Sequence, residues 1–256
     1  MKRLMIAGIA GLCAAVSFGI ESANIVGYTT TDMYTDGKFT AVVVPFLNVT
    51  DADAGISLYD LQIANVTKQN VPAKADQIWI WKNGIGWDKF FINTAGAWKQ
   101  TTGSKLDFSA VYPNGLPEGT GLYLKTVGSD AKAVTSSGAV DMENPEISTL
   151  LFADGKFTFV GNPYPTTLSI VDANQFEISN VTKQNVPAKA DQIWIWKNGI
   201  GWDKFFINTA GAWKQTTGSK LDFSAVYPNG LPVGSVLYIK TIGSENNKES
   251  VFKKTY

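Results

Sequence analysis

Histidine is absent from this chain of 256 residues, and cysteine occurs once. Without histidine, neither a Ser-His-Asp nor a Cys-His arrangement can activate a nucleophile, and a zinc site loses its usual ligands. Basic and acidic residues balance at 22 each, so the charge gives no reason to expect a nucleic-acid partner. We therefore predict a protein that is not an enzyme and that has no catalytic residue, no metal site and no cofactor.

Residues 1–22 have the features of a secretory signal peptide. Lys2 and Arg3 precede an apolar segment at 4–16, and small residues follow it. This segment is too short for a membrane anchor, so we expect cleavage between residues 17 and 23 and no membrane association afterwards. Because Cys13 leaves with the signal, the mature chain must be stable without disulfides. The predicted location is secreted, periplasmic or on the cell surface.

A block of 53 residues occurs twice without a change, at 65–117 and at 180–232. The motif Asp-Gly-Lys-Phe-Thr, at 36–40 and 154–158, extends the repeat upstream. This period is too long for a solenoid repeat and is typical of a duplicated domain. We predict a first domain at 23–131 and a second at 132–256, with a linker or long loop at 129–147. The two blocks contain all eight tryptophans: Trp79, Trp81, Trp87, Trp98, Trp194, Trp196, Trp202 and Trp213.

The segments of each unit favour strands. Residues 77–82 are rich in β-branched and aromatic side chains, Asn83-Gly84 is a strong hairpin signal, and 87–92 would return as the second strand. Residues 37–46 and 121–126 add further strands, which gives five or six per unit and no long helix. The expected fold class is all-β, with two tandem antiparallel β-sandwich or partly open barrel domains.

The tryptophans allow two interpretations. Alternate residues of a strand share a face, so Trp79 and Trp81 point away from Ile78 and Ile80. Such a row either packs in a core or forms a platform on which sugar rings stack. Two platforms would add avidity for a polysaccharide. The candidate residues for a glycan platform are Asn83, Trp87, Asp88, Lys89, Trp98 and Tyr112, with their copies Asn198, Trp202, Asp203, Lys204, Trp213 and Tyr227.

Paired carboxylates are the catalytic chemistry that this composition still allows, as in glycoside hydrolysis. The block contains three acids, Asp76, Asp88 and Asp107, copied at Asp191, Asp203 and Asp222. Their spacing in sequence does not set any two at the separation that hydrolysis requires. A hydrolase that uses aspartates is therefore the least favoured alternative.

Several short motifs carry a family resemblance. They are Ser22-Ala-Asn-Ile-Val-Gly-Tyr28 after the signal, a Gly-Lys-Phe-Thr strand ending near proline, Gln-Ile-Trp-Ile-Trp-Lys, Gly-Trp-Asp-Lys-Phe-Phe, and Leu-Pro-x-Gly before Leu-Tyr-x-Lys. The chain resembles uncharacterised secreted β-rich repeat proteins of the Planctomycetes–Verrucomicrobia–Lentisphaerae group over nearly its whole mature length. The resemblance implies export and β structure, and it supplies no catalytic residue. The second unit departs from the opening motif, with Glu146-Ile147 where the first has Gly27-Tyr28.

Together these features predict an exported, non-enzymatic structural or adhesive protein of the cell surface or extracellular space. The alternative is a glycan-binding protein that uses the duplicated Trp/Tyr platforms. The expected partners are polysaccharides or other surface proteins, and exposed edge strands would allow self-association.

Overall fold

The computed structural model describes residues 26–48, 54–82, 84–140, 144, 146–197, 199–244 and 248–253. The predicted signal peptide and the two hairpin asparagines, Asn83 and Asn198, lie outside these residues. What is described is almost entirely β structure in two halves that repeat one topology.

The first half contains two antiparallel sheets. A five-stranded sheet has the order β2-β7-β4-β5-β6, and a three-stranded sheet has the order β1-β8-β3. A single helical turn, α1 (Phe108–Val111), and a 3₁₀ turn (Pro72–Lys74) complete it. The strands are β1 (Val26–Met33), β2 (Phe39–Val43), β3 (Gln62–Ile63), β4 (Gln77–Lys82), β5 (Gly86–Ile92), β6 (Trp98–Gln100), β7 (Gly121–Lys125) and β8 (Lys132–Ala139).

The second half repeats this arrangement. Its five-stranded sheet has the order β10-β15-β12-β13-β14, and its three-stranded sheet has the order β11-β16-β9. The corresponding helical turn is α2 (Phe223–Val226), and the 3₁₀ turn is Pro187–Lys189. The strands are β9 (Glu146–Leu150), β10 (Phe157–Gly161), β11 (Phe176–Ile178), β12 (Gln192–Lys197), β13 (Gly201–Ile207), β14 (Trp213–Gln215), β15 (Val236–Lys240) and β16 (Glu249–Lys253).

The predicted all-β class and its division into two halves are confirmed, and the sheets do not close into barrels. The Trp-rich hairpin forms as predicted, from β4 and β5. Each half has more strands than the five or six expected. The additional ones are short, such as β3, or rich in serine and threonine, such as β8, and neither kind gives a clear sequence pattern.

Strand pairing places the joint between the halves later than the predicted division before Lys132. β8 begins at Lys132, pairs with β1 along its whole length and also contacts β3, so it belongs to the first half. The expected linker at 129–147 thus contains all of β8 and the start of β9. Its run Ser136-Ser-Gly138 has the composition of a loop, although Ser136 and Gly138 are buried.

Each half is a sandwich whose core lies between its two sheets. In the first half Ile78, Ile80 and Phe90 of the five-stranded sheet pack with Met33 and Val134 of the three-stranded sheet. The second half has an equivalent core. Its members include Ile193, Ile195, Phe205, Leu237, Ile239 and Phe252.

A buried ion pair ties the duplicated block to β8. Lys132 Nζ lies 2.5 Å from Asp76 Oδ2, and both side chains are 1% exposed. Asp76 also accepts the backbone N–H groups of Thr67 and Val127, at 2.8 and 2.7 Å. The second half repeats the pair with Lys248 and Asp191 at 2.7 Å. These bonds satisfy the carboxylate, which would otherwise be costly to bury.

We expect Lys132→Met to destabilise the protein by about 3–5 kcal/mol, because the change leaves the Asp76 carboxylate buried without its cation. The matched control is Lys99→Met, which breaks the more exposed pair with Asp107 and should cost less than about 1 kcal/mol. Urea unfolding of both variants measures the difference. Equal losses of stability would contradict the structural role of the buried pair.

Candidate functional site

The outer face of each five-stranded sheet is aromatic. In β4 the predicted alternation is confirmed, since Ile78 and Ile80 enter the core while Trp79 and Trp81 lie on the other face. Trp87 of β5 stands opposite Trp81 and joins that face. The aromatic face of the first half consists of Phe39, Trp79, Trp81, Trp87 and Tyr123, and that of the second half of Phe157, Phe159, Trp194, Trp196, Trp202 and Tyr238.

The two aromatic faces pack against each other. The ring centroids of Trp81 and Tyr238 lie 5.3 Å apart, and those of Tyr123 and Trp196 lie 5.6 Å apart. Both pairs meet edge to face, the geometry that aromatic quadrupoles favour. The interface between the halves is therefore a third core, separate from the core of either sandwich.

Reciprocal hydrogen bonds fix the position of one half on the other. Trp81 Nε1 donates to the carbonyl of Phe157 at 2.8 Å, and its copy Trp196 Nε1 donates to the carbonyl of Phe39 at 3.2 Å. The residues on each side are equivalents of those on the other, as in the isologous interface of a two-fold dimer. The halves therefore pair like two protomers joined in one chain.

The structure brings part of the predicted glycan platform together, since Trp87, Asp88 and Lys89 line one cleft along β5, but it places Trp98 elsewhere. Trp98 and Trp213 are 3% and 6% exposed and belong to the cores of their own halves, so they have no free face for a sugar ring. In β5 the side chains alternate, which places Trp87 and Lys89 on the outer face and Asp88 on the opposite one. Trp202, Lys204 and Asp203 are arranged in the same way along β13.

Asp88 and Tyr112 do meet, together with a lysine that the sequence reasoning missed. Tyr112 Oη donates to Asp88 Oδ2 at 2.9 Å, and Lys82 Nζ lies 3.0 Å from Asp88 Oδ1. The copies repeat this group, with Tyr227 donating to Asp203 at 2.7 Å and Lys197 at 2.8 Å. The predicted hairpin was the signal that could have identified Lys82. It brings the end of β4, where Lys82 lies, beside the start of β5, close to Asp88.

Lys89 covers part of Trp79. Its Nζ lies 3.8 Å from the ring centroid, a cation–π contact that Lys204 and Trp194 repeat at 3.7 Å. The indole N–H of Trp79 donates to Gln77 Oε1 at 2.8 Å. Trp79 is thus half-buried, with its polar edge and one face already occupied.

Each acid of the block has a lysine partner. Asp76 is held in the buried pair described above, Asp88 pairs with Lys82, and Asp107 lies 2.9 Å from Lys99. The copies keep the same partners in the second half. Over the described parts of the chain, no three potential metal-ligating side chains converge.

Two clefts lie beside the aromatic interface. One, of about 310 Å³, opens between the halves, and the other, of about 240 Å³, lies along β5. The first is lined by residues that include Trp81, Lys82, Tyr112, Glu118, Thr149 and Phe159, and the second by Trp87, Asp88, Lys89, Gln100, Thr101 and Thr102. These clefts combine aromatic and hydrogen-bonding groups, as ligand sites do.

No protein-family model matches the chain, and no curated protein is significantly similar to it. The resemblance to secreted β-rich proteins therefore stays a prediction. Among the residues whose structure is described, no helix has the length and apolar character needed to cross a bilayer.

We expect stability to fall as the pH rises above 10. Burial raises the pKa of Tyr238 from 10.0 to about 12. The pKa of Tyr123 is raised by more than that of Tyr238, mainly by burial and secondarily by the proximity of Tyr238. Burial followed by the hydrogen bonds to Asp88 and Asp203 raises the pKa values of Tyr112 and Tyr227. Because the folded state keeps these groups neutral, their contribution is complete below pH 10 and is lost as the pH rises through their folded pKa values.

Urea midpoints measured from pH 10 to about 12, with tyrosinate absorbance, test this expectation. Tyr238→Phe removes one of the four groups and should make the alkaline loss of stability less steep. An unchanged pH dependence in this variant would contradict the assignment.

Proposed function

We propose that the protein is an exported, non-enzymatic structural or adhesive β-protein of the cell surface or extracellular space. The observation that supports this function is the internal use of the tryptophan faces, which pack against each other between the halves. The result is four layers of sheet, with the two five-stranded sheets inside. Such a stack suits a rigid spacer or scaffold.

The interface favours a rigid body over two mobile domains. Interfaces between domains of one chain usually permit relative motion unless they are apolar and extensive. Here rings from both halves interlock, each aromatic pair adding about 0.5–1.5 kcal/mol beyond its buried area. The N–H of Gly161 also donates to the carbonyl of Gly119 at 2.9 Å across the interface. Rigidity of this kind serves a mechanical or connecting role.

The edge strand β1 supplies a route for contact with other molecules. It lies at the end of its sheet and keeps one unbroken register with β8 from Val26 to Met33. Its sequence, Val-Gly-Tyr-Thr-Thr-Thr-Asp-Met, contains neither the lysine nor the proline that commonly protects an edge. We propose that a strand from a second copy adds to this edge.

Light scattering and electron microscopy of the chain without residues 1–22 test this association. Thr30→Lys places a charge on the exposed face of β1 and should lower the association. Thr135→Lys is the matched control, since Thr135 bonds Thr30 on the same face at 3.0 Å but belongs to the central strand β8. A monomer at every concentration, or an equal effect of both variants, would count against assembly through β1.

Glycan binding is the second candidate function, because the cleft between the halves joins Trp81 and Phe159 to Lys82, Tyr112 and Thr149. Titration with polysaccharides, followed by tryptophan fluorescence, tests it. Glu118 lines this cleft, and the corresponding residue of the second half is Val233, so Glu118→Val should weaken the binding. An emission spectrum unchanged by all the polysaccharides would remove this candidate.

A screen of chromogenic glycosides addresses the remaining hydrolase alternative. We expect no turnover, because a lysine engages each acid of the block. Turnover that is lost in Asp88→Asn and kept in Asp107→Asn would overturn the non-enzymatic proposal.

A further inference from the structure

The interface between the halves combines identical and unlike residues. The duplicated block contributes the same two tryptophans to each side, Trp81 and Trp87 from one copy and Trp196 and Trp202 from the other. The strands β2 and β7, with their equivalents β10 and β15, lie outside the block and have diverged. The unlike residues on these strands therefore determine which halves fit together.

Valine and glycine exchange places between the two halves. In the first half Val43 of β2 stands opposite Gly121 of β7. In the second half the equivalent positions are reversed, with Gly161 of β10 opposite Val236 of β15. Each half therefore carries one valine and one glycine at this point of its outer face, in opposite order.

Across the interface, each valine occupies the space that the facing glycine leaves. A Cβ atom added to Gly161 would lie 2.5 Å from Val43 Cγ2, and one added to Gly121 would lie 2.7 Å from Val236 Cγ1. Neither glycine has a positive φ, so the backbone does not require glycine at either position. The need for glycine is steric, because a larger side chain would overlap the facing valine.

A third position follows the same rule. Phe159 of the second half contacts Tyr123 at a centroid distance of 4.9 Å, and its counterpart in the first half is the much smaller Ala41. A Cβ atom on Gly121 would lie 2.8 Å from the Phe159 ring. The phenylalanine thus fits because the facing half has glycine where its own half has valine.

We infer that this interface is specific for unlike halves: the first half pairs with a second half and not with another copy of itself. Two first halves would set Val43 against Val43 and leave two glycines facing each other. Two second halves would bring Val236 and Phe159 into overlap with the facing Val236. The partner that this surface fits is the complementary half, from the same chain or, after exchange, from a second chain. The block can be identical on both sides because these three positions carry the discrimination.

A double-mutant cycle in the full chain tests the complementarity. Gly161→Val should lower the folding equilibrium constant about tenfold or more, because it overpacks the interface. Val43→Gly alone should also destabilise, since it opens a cavity. The combined variant restores one valine facing one glycine, so it should be more stable than Gly161→Val alone. Additive losses would overturn the inference, and if Gly161→Val does not fold, recovery of folding in the combined variant supports it.

The matched control combines Gly161→Val with Val42→Gly. Val42 is the neighbour of Val43 in β2, but its side chain lies in the core of the first half. This change removes the same atoms without making space at the interface. We expect no recovery, and a recovery equal to that of Val43→Gly would show that the effect is not local to the interface.

A protease site inserted between residues 140 and 146 gives an independent test on the folded chain. After cleavage, the two fragments should stay together as a one-to-one complex in size-exclusion chromatography with light scattering. Fragments that separate and re-form like pairs would overturn the proposed specificity.

Discussion

The contact between the two aromatic faces is the interaction on which the rest of the structure depends. Each five-stranded sheet is apolar on both faces. The three-stranded sheet of the same half covers only one of them, and the aromatic face stays uncovered by its own half. A half by itself would expose Trp81, Trp87 and Tyr123 as a contiguous apolar patch, a feature that drives association in soluble proteins. Duplication supplies a second aromatic patch, and packing the two together removes both from water.

This constraint gives a physical account of both the identity and the divergence of the repeats. Trp81 contacts Tyr238, a residue that is not its own equivalent in the other half. The equivalent contact joins Trp196 to Tyr123, so the same residue types in both halves make both contacts. Where a position meets its own equivalent, two identical large side chains would compete for one space, and at such a position Val43 faces Gly161. The identity of the interface tryptophans thus requires no ligand to explain it, and the differences between β2 and β10 at Val43 and Gly161 have a packing reason.

The sequence predicted the features that depend on local pattern. The hairpin of β4 and β5 and the separation of Trp79 from Ile78 follow from strand alternation and turn chemistry. Other features depend on distant partners. Lys132 is buried because Asp76 lies beside it, and a single sequence does not reveal that pairing. Trp98 stood among the platform candidates because β6, at three residues, is too short to show which face it buries.

The alternation of β5 also restricts where a ligand or partner could bind. Trp87 and Asp88 point to opposite faces, so an aromatic surface and the acid do not share one side of the sheet. Both residues line the cleft along β5. Asp88 also contacts Lys82 and Tyr112, and those two residues line the cleft between the halves. Phe159 of the second half completes that cleft. Binding there would require both halves in their paired arrangement, whereas binding along the edge of β1 would require only one.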